Sequence, residues 1–223
     1  MDEAKVLDKG FVRLIDMMGS DRRVCEAARV STGAQSEDPE RDRKLIFFLM
    51  EHDHSTPFEK IVLEFHVKCP LFVARQWFRH RIGSFNERSA RYRKFDEDYF
   101  VPDLSTLPGV YAPEDLAAYE QALHASYEAY ERLMGKVADR PTKQRSRARE
   151  VWRGLLGTSF YTEFFWTVNF RALMNFLKLR THETAQYEIR VYAQAIAGMV
   201  KRAVPVSYGA FERFGLPREV QEP

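Results

Sequence analysis

Hydrophobic positions along this chain repeat with two periods, and the changes of period mark out its elements. Ile61, Leu63, Phe65, Val67 and Cys69 alternate with Val62, Glu64, His66 and Lys68. That is the pattern of a half-buried strand, with His66 on its polar, solvent side. Phe160, Thr162, Phe164, Trp166 and Val168 alternate with Tyr161, Glu163, Phe165, Thr167 and Asn169 in the same way. The run from Phe11 to Met18, bounded by Gly10 and Gly19, reads as a third, buried strand. Elsewhere the spacing is helical. Ser20-Asp21 opens a helix carrying Val24, Ala27 and Ala28, and a second, 40–51, turns Leu45, Ile46, Phe48 and Leu49 to one face. Pro70 suits the first turn of a helix bearing Phe72, Val73, Gln76, Trp77 and Arg79. Pro113 begins the longest helix, to about Val137, with a stripe of Leu116, Tyr119, Leu123, Tyr127, Tyr130, Leu133 and Val137 fit for a core or an interface. A helix capped by Thr142 is expected to about Leu156, a short one after Asn169, and a long one from about Glu183 to Ala203, before Pro205 and an amphipathic turn to Phe214. The elements predict an α+β fold: a mixed single domain, residues 1–223, with an antiparallel-type sheet flanked by long helices.

Composition sets bounds. Hydrophobic residues make up 45% and charged residues 30% of the 223, as in ordinary globular proteins. A net charge of +2 gives no global case for nucleic acid. The charge is uneven, however. Between Arg75 and Lys94 six arginines and a lysine face Glu87, and between Arg140 and Arg153 five arginines and a lysine face Glu150. Local basic clusters in a near-neutral chain point to small anionic ligands. Cys25 and Cys69 form no CxxC pair and read as small core residues, so neither a disulfide framework nor structural zinc is expected. His52 and His54 stand at i and i+2 in a loop around Asp53 with no further ligand nearby, and no metal is assigned. No apolar run approaches the ~20 residues of a membrane span, and the first residues lack a signal-peptide core, so the cytoplasm is the expectation.

The densest chemistry lies between Arg79 and Tyr92, where four arginines, a histidine, two serines, an asparagine and one glutamate fall within fourteen residues. Arginine forks suit phosphate, carboxylate or an imide-like base edge. Ser84, Asn86 and Ser89 add neutral hydrogen-bonding groups, and Gly83 permits close backbone approach. The segment resembles the motif RHRxxSxNExSxRY of the flavin-dependent thymidylate synthases, with all nine fixed positions filled by Arg79, His80, Arg81, Ser84, Asn86, Glu87, Ser89, Arg91 and Tyr92. Further segments extend the resemblance over nearly the whole chain. They are His54-Ser-Thr56-Pro-Phe-Glu59, Arg153-Gly-Leu-Leu-Gly157 and Phe164 through Arg180.

The resemblance implies the thymidylate synthase complementing fold and a homotetramer that methylates dUMP with FAD as redox carrier, NADPH as reductant and methylenetetrahydrofolate as carbon donor. It implies FAD contacts from His54, Thr56, Arg79, His80, Arg81, Glu87, Asn169, Arg171 and Asn175. Gln76 and Arg79 of one chain would hold dUMP together with Glu87, Arg88, Ser89, Ala90 and Arg91 of another, and Arg153 would contact the nucleotide. Arg180 would address the uracil ring as the catalytic residue. A cation at the N3–C4=O edge stabilises charge developing there as carbon 5 becomes nucleophilic. Two departures stand out: Gly157 where proline is usual, and Thr184 where histidine is frequent. The absence of a GxGxxG turn excludes Rossmann-type flavin binding. Arg145, Arg147 and Arg149 read as a solvated basic face. Two other readings use the same residues: a nucleic-acid-binding module, and a flavoprotein oxidoreductase with another substrate.

Overall fold

A computed structural model describes residues 2–33, 37–89, 91 and 94–216. Its centre is a five-stranded antiparallel sheet in the order β1-β2-β3-β5-β4, formed by β1 (Asp2–Val6), β2 (Gly10–Met18), β3 (Val62–Pro70), β4 (Ser84–Glu87) and β5 (Tyr161–Asn169). The two alternating segments pair along their whole length, Phe65 opposite Trp166 and Val67 opposite Phe164. The inward set of β3, with Leu63, Phe65, Val67 and Cys69, is fully buried, as is Trp166 on β5. The outward face is not fully solvated. His66 is half-buried rather than a surface residue, because its ring stacks on Phe165 at 4.6 Å and bonds Glu163 at 3.2 Å.

Helices α3 (Leu71–Trp77), α6 (Phe170–Arg180) and α7 (Tyr187–Ala203) cover the buried face, with α1 (Asp21–Arg29), α2 (Pro39–Glu51) and α8 (Pro205–Phe214) beside them. Trp77 is the hub: its ring meets Phe164, Trp166, Phe176 and Tyr192 at 4.9–5.8 Å. A smaller apolar cluster of Phe95, Tyr130, Leu156 and Phe160 sits under α4 (Pro113–Gly135) and α5 (Thr142–Trp152), where the tyrosine stripe supplies Tyr127 and Tyr130. No helix is long and apolar enough to cross a membrane among the described residues.

Several sequence expectations shift. The sequence also suggests a short strand near Arg88 to Tyr92, a stretch partly outside the described residues; the strand described lies at Ser84–Glu87, where Phe85 pairs with Trp166 across β4 and β5 and stacks on it. Helix α3 ends at Trp77, so Arg79 lies beyond it. Helix α7 begins at Tyr187, since residues 181–186 form a turn stitched by His182 and Thr184. Thr142 does not cap α5; Pro141 occupies the cap, and the Thr142 hydroxyl accepts from Arg145 instead. Arg149 is half-buried rather than solvated. Strand β1 went unread: Asp2 to Val6 is too short and polar to show a period, and pairing with β2 makes it a strand.

Candidate active site

Two clefts carry the motif residues, one toward each end of β5. The first, about 490 Å3, is lined by Glu59, Arg79, His80, Arg81, Ile82, Asn169, Arg171, Ala172, Asn175, Leu179 and Arg180. It joins three pieces of chain far apart in sequence. The first turn of α6 follows β5 directly, and the Asn169 side-chain carbonyl caps it by accepting from the Ala172 N–H at 2.9 Å. That leaves the Asn169 amide NH2 free to donate into the cleft. Arg171, Asn175 and Leu179 follow at spacings of four, which places them on one face of α6. The chain leaving α3 is held by Arg79 N–H to Gln76 at 3.3 Å and His80 N–H to Trp77 at 3.0 Å, so Arg79, His80 and Arg81 form the opposite wall.

The electrostatics are those of an anion site with one internal counter-charge. Glu59 pairs with Arg171 at 2.7 Å; among the described residues Arg79, Arg81 and Arg180 pair with no carboxylate, and they line the same space. Arg180 is half-buried and donates from Nε to His80 Nε2 at 3.1 Å. Burial lowers the Arg180 pKa. Burial first, and then the Arg180 charge, push the His80 imidazole down to about 4, so it is neutral at physiological pH. Ile82 and Leu179, 71% and 51% exposed, put bare apolar side chains at the mouth, suited to a flat ring.

The second cleft, about 450 Å3, is lined by Leu71, Glu87, Arg88, Ser89, Phe95, Arg153, Gly154, Leu156 and Thr162. Its polar groups are pre-oriented by acids and a hydroxyl. Buried Thr162 donates to Glu87 at 2.8 Å and Arg88 bonds Asp96 at 3.0 Å; Arg91, which lines neither cleft, bonds Glu150 through Nε and Nη2 at 3.1 and 3.0 Å. Thr162 to Asn169 spans seven residues of strand at ~3.3 Å each, so roughly 20 Å separate the two clefts.

The first cleft thus brings together Arg79, His80, Arg81, Asn169, Arg171, Asn175 and Arg180, and the second Glu87, Arg88, Ser89 and Arg153. His54 and Thr56 are exposed and line neither, His54 lying edge-on to Phe48 at 6.0 Å. Ala90 and Tyr92 lie outside the described residues. Sequence reasoning missed Glu59 as a partner of Arg171, although it ends the His54–Glu59 segment; a contact across 112 positions leaves no local signal. It missed a relay as well: Gln76 donates to Gln186, which donates to Glu188 at 2.7 Å.

The family model for thymidylate synthase complementing protein matches residues 13–206. The chain belongs to the flavin-dependent thymidylate synthase family. A relative of that name from Thermosipho africanus is 46% identical over 225 aligned positions, covering 95% of both chains. One from Thermus thermophilus is 45% identical, covering 93% of this chain and 77% of the relative. Among solved structures, the UMP/dUMP methylase PolB of Streptomyces cacaoi, bound with 5-Br dUMP, superposes with a TM-score of 0.82 at 33% identity, covering 95% of this chain and 98% of that one. The thymidylate synthase complementing fold is therefore established here, and the expected mixed architecture with an antiparallel sheet holds.

Proposed function

We propose that the two clefts are two parts of one thymidylate synthase active site, completed between copies of the chain. The reaction is the methylation of dUMP to dTMP, with FAD as cofactor, NADPH as reductant and methylenetetrahydrofolate as carbon donor. The observation that carries this reading is the first cleft, where four arginines, two asparagines and exposed apolar side chains surround a space of about 490 Å3. That donor set fits a flavin dinucleotide. Arg79, Arg81 and Arg171 suit its pyrophosphate, Asn169 and Asn175 its polar edges, and Ile82 and Leu179 its ring. Bound FAD supplies the hydride that completes the new methyl group.

The chain's own residues bind, orient and polarise. Arg180, half-buried beside His80, lays its guanidinium against the uracil edge in this reading, where a fixed cation in a partly desolvated setting stabilises developing negative charge. Glu87, Arg88, Ser89 and Arg153 form the phosphate-binding part, with arginine forks for the dianion. A mononucleotide is shorter than the roughly 20 Å between the clefts. It can touch both sets only where the second cleft of one copy faces the first cleft of another. This supports a homo-oligomer, the homotetramer that the resemblance implies, over a self-sufficient monomer.

The test is product formation. Protein with FAD, NADPH, methylenetetrahydrofolate and dUMP should yield dTMP by chromatography. No dTMP from flavin-loaded protein, with flavin oxidation independent of dUMP, would leave the alternative oxidoreductase reading standing.

A further inference from the structure

The contact between Arg180 and His80 fixes more than a distance. Arg180 Nε lies 3.1 Å from His80 Nε2. A guanidinium has only donors, so Nε2 must accept. A neutral imidazole accepting at Nε2 carries its proton on Nδ1. The surroundings agree. The ring stands edge-on to Phe176 at 4.9 Å and 72°, which confines its plane. Burial and the neighbouring Arg180 charge both disfavour a second ring proton. The core beneath is dense, with Phe176 stacked on Trp77 at 4.9 Å.

We infer that His80 is a positioning residue: as a neutral Nδ1–H imidazole it accepts the Nε–H of Arg180 and turns both Nη groups of Arg180 into the cleft, toward the uracil edge. This rests on the reading of Arg180 given above. It also changes what His80 offers the cofactor, which is a neutral Nδ1–H donor and not a cation for the pyrophosphate. Without the acceptor, the guanidinium has no partner fixing its rotation about Nε, and a misplacement of about 1 Å at a reacting centre costs about 100-fold in rate.

The experiment uses holoenzyme carrying His80→Phe, His80→Gln, Arg180→Ala and the double change His80→Phe/Arg180→Ala, with turnover expressed per bound flavin. His80→Phe should lower kcat at saturating dUMP by about 100-fold, and His80→Gln, whose Oε1 can accept near the position of Nε2, should recover at least tenfold of that. In the Arg180→Ala background His80→Phe should add less than about threefold, since residues acting as a unit are not additive. A readout independent of turnover comes from 15N-histidine labelling, with the His80 signals assigned as those missing from His80→Gln. They should show Nδ1 protonated and Nε2 bare from neutral pH to about pH 5, with that pattern relaxed in Arg180→Ala. An Nε2–H tautomer, or fully additive losses in the double variant, would overturn the inference. Should His80→Phe fail to hold flavin, the tautomer still decides. Full turnover in Arg180→Ala would instead remove the reading of Arg180 itself. An inactive Arg180→Ala beside an active His80→Phe would remove only the role of His80.

Discussion

Arg171 separates a structural from a ligand-binding role by magnitude. Its side chain is 50% exposed, and among the described residues it pairs with Glu59, 35% exposed, at 2.7 Å. Exposed ion pairs of this kind contribute about 0.2–1 kcal/mol. For a chain of 223 residues that corresponds to a shift of at most about 4 °C in melting temperature. A charge-assisted contact to a phosphate or carbonyl of bound FAD is worth about 1.5–3 kcal/mol, or about 10–150-fold in affinity. Arg171→Ala should therefore leave the flavin-stripped protein nearly as stable in a urea titration and weaken FAD binding by one to two orders of magnitude. Stability must be compared without flavin, because a ligand that binds only the folded state stabilises it by mass action. Glu59→Gln is the control: it breaks the same ion pair while sparing the cation, so its FAD affinity should stay within about threefold. If Arg171→Ala costs more than about 2 kcal/mol of stability and leaves FAD binding intact, the residue is a structural strut.

Arg79→Ala and Ser89→Ala proteins should each be poorly active and regain activity when mixed, because the hybrid holds one intact pairing of first and second cleft; no gain between subunits shown to exchange would put the site within one chain. Cys25→Ala/Cys69→Ala should keep turnover within about tenfold, a margin of ~1.4 kcal/mol that minor repacking covers. Both thiols are buried, and burial pushes Cys25 up to about 11 and raises Cys69 well above its usual range, so neither supplies a thiolate at neutral pH. Loss by orders of magnitude in a folded, flavin-loaded double variant would reinstate a cysteine nucleophile. Trp77→Ala should cost about 3–5 kcal/mol in a urea titration, since the fully buried indole packs against four other aromatic rings. A loss under about 1 kcal/mol would mean that these contacts re-form without it.

What the sequence carried, and what it did not, follows from the range of the interactions. Strands β3 and β5 were legible because one face is buried, and burial with a period of two leaves an unambiguous trace in Leu63 to Cys69 and Phe160 to Val168. The motif residues were legible because so many arginines with so few acids have no use in a core. The pairing of β4 with β5 was not, since Ser84 to Glu87 gains its strand character from Trp166 and Phe165, about 80 positions away. The same holds for the division of the site. Nothing between Arg79 and Arg91 announces that Arg79 and Arg81 face one cleft while Glu87, Arg88 and Ser89 face another. The sheet does that, by carrying the chain along β5 from one cleft to the other. Acids that hold site arginines, such as Glu59, Asp96 and Glu150, looked like ordinary surface charges until the fold placed them.

The most direct measurement is the visible absorption spectrum of the purified protein as dUMP is added. The proposed site predicts a bound oxidised flavin near one per chain, with bands that shift saturably with dUMP and stay unchanged with short single-stranded DNA. A colourless protein that binds the DNA with steep salt dependence, or a flavin spectrum indifferent to dUMP, would contradict it.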